Sequence, residues 1–187
     1  MITTADEDLA ARLRRLRQHA MTVSDLARHN SRQVVLESYD EVGYNYRMTD
    51  LQAAIGLVQL TRLEEMLARR RALALRYSSH LSSISWLVPP QEPTECRHNF
   101  QSYMLRLRHD APFSRDELMQ ELLDRGVSSR RGIMAIHREL PYRGAEWDMR
   151  LPVTNAVTDS TIILPLFYEM TDDDQDYVIE CMEEISH

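Results

Sequence analysis

The sequence predicts a mostly helical chain with a short sheet: a long linking helix that leads into a small C-terminal α+β domain. Three observations predict it. Apolar residues recur at helical spacing from Leu51 to Tyr77. A Ser- and Pro-rich stretch, SSHLSSISWLVPPQEPTE at 78–95, then marks a boundary. Beyond it, signals for strand, helix, loop, strand and helix follow in that order. This divides the chain into residues 1–60, a long helix and linker at 61–95, and a small domain at 96–187.

In chain order, Thr4 and Glu7 read as a capping box, and Leu9, Leu13 and Leu16 continue at helical spacing, so the first helix is expected over about residues 5–20. Residues 21–42 are polar and irregular. Thr49 and Gln52 form a second capping box. Leu51, Ile55, Val58, Leu63, Met66 and Leu67 follow it, and one helix is expected over 50–79. At 1.5 Å per residue that helix would run about 45 Å, and Gly56 within it would mark a close approach of another backbone. Tyr103, Leu105 and Leu107 alternate with Ser102, Met104 and Arg106, a strand pattern. Ser114 and Glu117 cap a helix through Leu118 and Leu122 that Gly126 closes. A polar, irregular stretch from Val127 follows. Thr161–Leu164 is a short strand stopped by Pro165. Thr171, with acids at 172–174 suited to the helix dipole, starts a last helix whose buried stripe is Tyr177, Val178, Cys181 and Ile185.

Composition narrows the chemistry. With 43% apolar and 27% charged residues the chain reads as soluble and globular. No apolar run is long enough to span a bilayer, and MITTADEDLAARLRRLRQ has no secretory h-region, so a reducing cytoplasm is the expected location. A net charge of −7 argues against a general nucleic-acid backbone binder. Cys96 and Cys181 suggest neither a disulfide framework nor a zinc site and read as packing thiols; no metal site is expected. All 22 basic residues are arginine, so the chain has no side-chain primary amine. The Arg69-Arg70-Arg71 run reads as a solvated helix face.

GYNYRMTDLQAAIGLVQL, residues 43–60, poses the functional question. It sets Asn45 and Arg47 directly before an apolar helix. An Asn amide and an Arg fork both donate well to phosphate, and alternate spacing lets both point one way. Equally, Tyr44 and Tyr46 could fill a groove while Arg47 pairs with Glu41 or Asp50. His137 lies in a basic loop with Arg130, Arg131 and Arg138, which suits either a diphosphate or plain solvation beside Asp124 or Glu139.

This stretch resembles the corresponding segment of the DegT/DnrJ/EryC1/StrS sugar aminotransferases, pyridoxal-phosphate (PLP) enzymes of the aspartate-aminotransferase fold. MITTADEDLAARLRRLRQHAM resembles the segment after the family's cofactor lysine. RHNFQSYMLRL resembles the first small-domain strand, DELMQELLDRGVSSRRGIMAIHRELPYRG the helix and substrate loop, and LPLFYEMTDDDQDYVIECMEEI the closing strand and helix. The resemblance implies an α/β family fragment covering about the C-terminal half of such an enzyme. It implies cofactor-phosphate binding by Asn45 and Arg47, reaching across a dimer to the neighbouring subunit. It implies nucleotide-sugar binding by His137 and Arg131. RRGIMAIHRE departs from relatives that carry an aromatic residue and a proline at Gly132-Ile133-Met134, which leaves the sugar open.

No catalytic residue is expected in the chain, because the Schiff-base lysine belongs to the family's upstream half. The expected function is therefore the C-terminal portion of a PLP-dependent aminotransferase acting on a nucleotide-linked keto-sugar, inactive alone. The competing reading is a non-catalytic dimerisation module that completes an intact homologue's site. The expected partners are a second copy, a full-length homologue, or the missing N-terminal half.

Overall fold

The computed structural model describes residues 2–23, 28, 30–143 and 150–186. They form two compact units, 1–61 and 62–187. The first unit holds helices α1 (Glu7–Leu16) and α2 (Asp50–Thr61). The N-cap of α1 is Asp6, whose carboxylate accepts from the Leu9 N–H at 2.9 Å. The expected cap, Thr4, instead accepts from the Asp6 N–H at 3.1 Å. A carboxylate suits the positive helix end better than a hydroxyl, so the helix starts later than expected. The chain leaves α1 through His19 and Ala20, both with positive φ, and residues 44–46 lie antiparallel beside this turn. The Thr49–Gln52 capping box forms as expected, with both of its hydrogen bonds present. No residue of α2 is buried, and a Cβ built on Gly56 would meet nothing within 4 Å. The expected close approach to Gly56 is therefore absent among the described residues.

The single helix expected over 50–79 is two. α2 ends at Thr61, and α3 (Leu63–Leu81) begins in the second unit after Arg62, its N-cap, whose φ is −97° and ψ −3° and whose side chain makes no capping hydrogen bond. No Gly or Pro marks the break.

The second unit is a four-stranded antiparallel sheet with helices packed on it. Its strands are β1 (Leu87–Val88), β2 (Tyr103–Leu107), β3 (Arg130–Arg131) and β4 (Thr161–Leu164), in the order β1-β2-β4-β3. Tyr103 pairs with Leu164 and Leu105 with Ile162, so β2 and β4 present one buried, largely apolar face. α3, α4 (Arg115–Asp124) and α6 (Asp172–Ile185) cover it with Leu73, Tyr77, Leu118, Leu122, Ile179 and Met182. The serine-rich stretch is not a bare linker: Ile84, Trp86 and Leu87 enter this core while the intervening serines stay outside. α4 carries the expected Ser114–Glu117 capping box and ends in a Schellman turn. There Gly126 sits at φ 78°, with Gly126 N–H donating to Leu123 O and Val127 N–H to Leu122 O, both at 2.8 Å. In α6, Val178, Cys181 and Ile185 are buried, but Tyr177 is half-exposed and donates to Arg125 O at 2.7 Å. Cys96 is exposed, so only Cys181 packs.

The arginine run is not a solvated face. Arg69 donates to Met170 O at 2.6 Å, Arg70 to Phe100 O at 3.1 Å and Gln101 O at 3.2 Å, and Arg71 to His98 O at 2.6 Å. Three consecutive guanidiniums thus tie α3 to two loops. An arginine has five N–H donors, which lets it satisfy loop carbonyls that have no ladder partner. No helix among the described residues is long and apolar enough to cross a membrane.

Candidate functional site

Asn45 and Arg47 lie in the first unit, on an extended segment held by backbone hydrogen bonds. Tyr44 N–H donates to Leu16 O at 2.7 Å, Tyr46 N–H to Arg17 O at 2.8 Å, and His19 N–H to Tyr44 O at 2.9 Å. Gly43 permits this approach: a Cβ there would sit 2.1 Å from the His19 carbonyl carbon and 2.2 Å from Ala20 N. The Tyr44 and Tyr46 rings stack on each other at 5.2 Å rather than filling a groove. Side chains on an extended segment alternate, so Asn45 and Arg47 share the side opposite the rings. Both are exposed. Glu41, one expected partner of Arg47, is held by Arg12 at 2.8 Å, and that guanidinium keeps its carboxyl below the usual carboxylate range. An amide and a guanidinium displayed side by side on a backbone-anchored segment are the donor set a phosphate monoester takes, so these residues fit the phosphate of PLP.

Arg131 and His137 lie in the second unit after α4, Arg131 at the end of β3 and His137 on the loop that follows it. Gly132 N–H donates to Thr161 O at 2.9 Å and carries the chain off β3. The loop then makes two short 3₁₀ turns, Ile136–Arg138 and Leu140–Tyr142. Its burial is inverted. Ile133, Met134, Ile136, Leu140 and Tyr142 are all exposed, whereas His137 is only 6% exposed. His137 is therefore not a surface histidine. Its Nε2 lies 2.8 Å from Asn155 Oδ1, on α5 (Pro152–Ser160). Arg138 is gripped by Asp159 on the same helix at 2.5 and 3.1 Å, which holds the Asp159 carboxyl below its ordinary range. Arg131 is exposed and pairs with Glu139 at 3.4 Å. Arg106, on the sheet face opposite the core, lines a cleft of about 360 Å³ with Pro152, Val153, Ala156, Val157 and Ser160.

Asn155 and Asp159 are not among the residues the sequence singles out. Their four-residue spacing is a helical signal, but the segment PVTNAVTDS is rich in β-branched residues and reads poorly as a helix. The structure sets Asn45 and Arg47 on one segment, and Arg131 at the end of the strand that leads into the His137 loop. Among the described residues no group of three or more His, Cys, Asp or Glu side chains could hold a metal.

Comparison with solved structures gives a consistent likeness. TlmJ, an aminotransferase from Streptoalloteichus hindustanus, is 29% identical with a TM-score of 0.76, over 96% of this chain and 45% of TlmJ. CalS13, a sugar aminotransferase from Micromonospora echinospora, is 26% identical with a TM-score of 0.77, over 96% of this chain and 45% of CalS13. Spr1654 from Streptococcus pneumoniae, solved in its PLP form, is 28% identical with a TM-score of 0.79, over 98% of this chain and 44% of Spr1654. The chain thus spans slightly under half the length of the proteins it resembles. The sequence matches the DegT/DnrJ/EryC1/StrS aminotransferase family over residues 1–183. That match takes in nearly every element described above, and the chain belongs to this family.

Proposed function

We propose that this chain is the C-terminal portion of a PLP-dependent aminotransferase acting on a nucleotide-linked keto-sugar. The observation that carries the reading is the family match over residues 1–183 together with coverage of only 44–45% of the solved relatives. Bound PLP would supply the electron sink for amino-group transfer. In this reading Asn45 donates its amide N–H, and Arg47 its guanidinium fork, to the cofactor phosphate. Arg131, at the end of β3, and His137, on the loop that follows, orient the nucleotide-sugar.

The 187 residues contain no lysine, so they hold no ε-amine to tether the cofactor or to move a proton at the substrate carbon. The lysine must come from a second segment of protein, and the chain by itself is inactive. A second reading, a dimerisation module that lends Asn45 and Arg47 to an intact homologue, is favoured by α2, which exposes its apolar residues on every side.

The test is an assay of the purified chain with PLP, glutamate and a keto-sugar nucleotide. The expected result is turnover no greater than with free PLP and no borohydride-trapped adduct at a defined residue. Supplying a lysine-bearing homologue should restore turnover, and Asn45→Ala or Arg47→Ala should lower what is restored. Turnover by the chain alone would overturn the proposal.

A further inference from the structure

The loop from Gly132 to Tyr142 has almost no apolar anchor. Its large apolar side chains are exposed, and only Ala135 and His137 turn inward. Polar contacts hold it, and two of them come from one helix. Asn155 and Asp159 are four residues apart on α5 and so share a face. They meet two consecutive residues of the 3₁₀ turn, His137 at 2.8 Å and Arg138 at 2.5 and 3.1 Å.

We infer that α5 is a positioning element for this loop: Asn155 sets the pose of the His137 imidazole, and Asp159 fixes Arg138 beside it. Each acceptor is matched to its donor. The neutral amide oxygen of Asn155 takes the His137 Nε2–H, and the carboxylate of Asp159 takes both arms of the Arg138 fork. The clamp is itself braced. Arg115 of α4 donates to Thr158 O at 3.0 Å and Thr161 O at 3.5 Å, and the Thr161 hydroxyl donates to Val157 O at 2.7 Å. The last turn of α5 is thereby tied to α4 and β4, which gives the helix a fixed base from which to hold the loop.

The importance of the pose rests on the reading that His137 contacts the nucleotide-sugar. The clamp is tested without any ligand, so its failure is distinct from failure of that reading. The test uses the 187-residue chain with its histidine rings labelled with nitrogen-15. In the unmodified chain the His137 Nε2 proton should exchange slowly with solvent. Asn155→Ala should speed that exchange roughly tenfold, the factor that follows from losing one buried hydrogen bond. Asn155→Asp keeps an acceptor at the same place and should retain the slow proton. Asp159→Ala should instead speed backbone amide exchange across residues 132–139. Amides of β2 serve as the internal check that the fold persists. An unchanged ring proton in Asn155→Ala, or equal loss in Asn155→Ala and Asn155→Asp, overturns the inference.

Discussion

The rings of Tyr77 and Tyr103 stack at 4.9 Å with 29° between their planes, and their hydroxyls leave in different directions. Tyr77 donates to Pro165 O at 3.0 Å, while Tyr103 shares a hydrogen with Ser78 Oγ at 3.0 Å. Both residues are fully buried. The pair joins α3 to β2 and, through Pro165, to the end of β4. Tyr77→Phe would leave the Pro165 carbonyl without its donor and should cost about 1–2 kcal/mol. Tyr103→Phe should cost less, because Ser78 is only half-buried and reaches water. Urea unfolding should show a lower midpoint with an unchanged slope for both.

The same burial sets an alkaline limit. It pushes the Tyr103 hydroxyl up to about 12 and raises Tyr77 further still. A folded pKa above the unfolded one means that the unfolded state gives up its proton first. The stability is complete below an unfolded tyrosine pKa of about 10 and falls as pH rises through that value. Tyr103→Phe should flatten this loss relative to the unmodified chain at matched urea. An equal slope would mean that Tyr103 does not report the transition.

Much of the second unit is legible in the sequence because its signals are local. The Ser114–Glu117 box, the alternation of β2 and the Val178–Cys181–Ile185 stripe need only neighbouring residues. Several of the misses are tertiary. Arg69, Arg70 and Arg71 look like surface charge until the loops they hold are placed. β3 is two arginines long and gains its meaning from pairing with Ile163 and Ile162. α5 forms despite poor propensity, with Pro152 at its start and Arg115 bracing its end. Of the site, Asn45 and Arg47 lie on one segment that pairs with the α1 turn. The burial of His137 is not legible locally, because its partner Asn155 lies on a helix whose segment is rich in β-branched residues.

Arg71 and Glu92 form a second anchor. The two make a forked pair at 2.9–3.1 Å, and Glu92 also accepts the His98 N–H at 2.7 Å. The Glu92 carboxyl is lowered chiefly by that backbone N–H and further by Arg71, against an opposing effect of burial. A depressed carboxyl contributes stability that is present above the unfolded Glu value of about 4.3 and lost as pH falls below it. Arg71→Ala should lower the urea midpoint at neutral pH. It should also make the acid loss shallower, but not abolish it, because the His98 N–H remains. Identical acid profiles would refute the pairing.

Gly43 controls the first unit's display of Asn45 and Arg47. In Gly43→Ala the new methyl would overlap backbone atoms of His19 and Ala20, which cannot swing away as a side chain would. The segment should lift from the α1 turn. Amide protection at His19, Tyr44 and Tyr46 should fall together, while amides of β2 and β4 keep theirs. Rescue of a lysine-bearing homologue should fall as it does for Asn45→Ala. Retained protection at Tyr44 would show that the turn yields instead.

The last prediction concerns α2. Leu51 is 74% exposed, Ile55 58% and Val58 60%, and they fall at i, i+4 and i+7 on one stripe. Leu57 and Leu60, on other faces, are exposed as well. A helix that exposes this many large apolar side chains and buries no residue within its own unit is a surface awaiting protein. The chain should therefore self-associate or capture a partner through this helix, with light scattering giving a mass above that of one chain. Ile55→Asp with Val58→Asp should shift the mass to a single chain. It should leave the unfolding of the second unit unchanged, since no residue of α2 contributes to that core. A monodisperse single-chain mass for the unmodified protein would rule the association out.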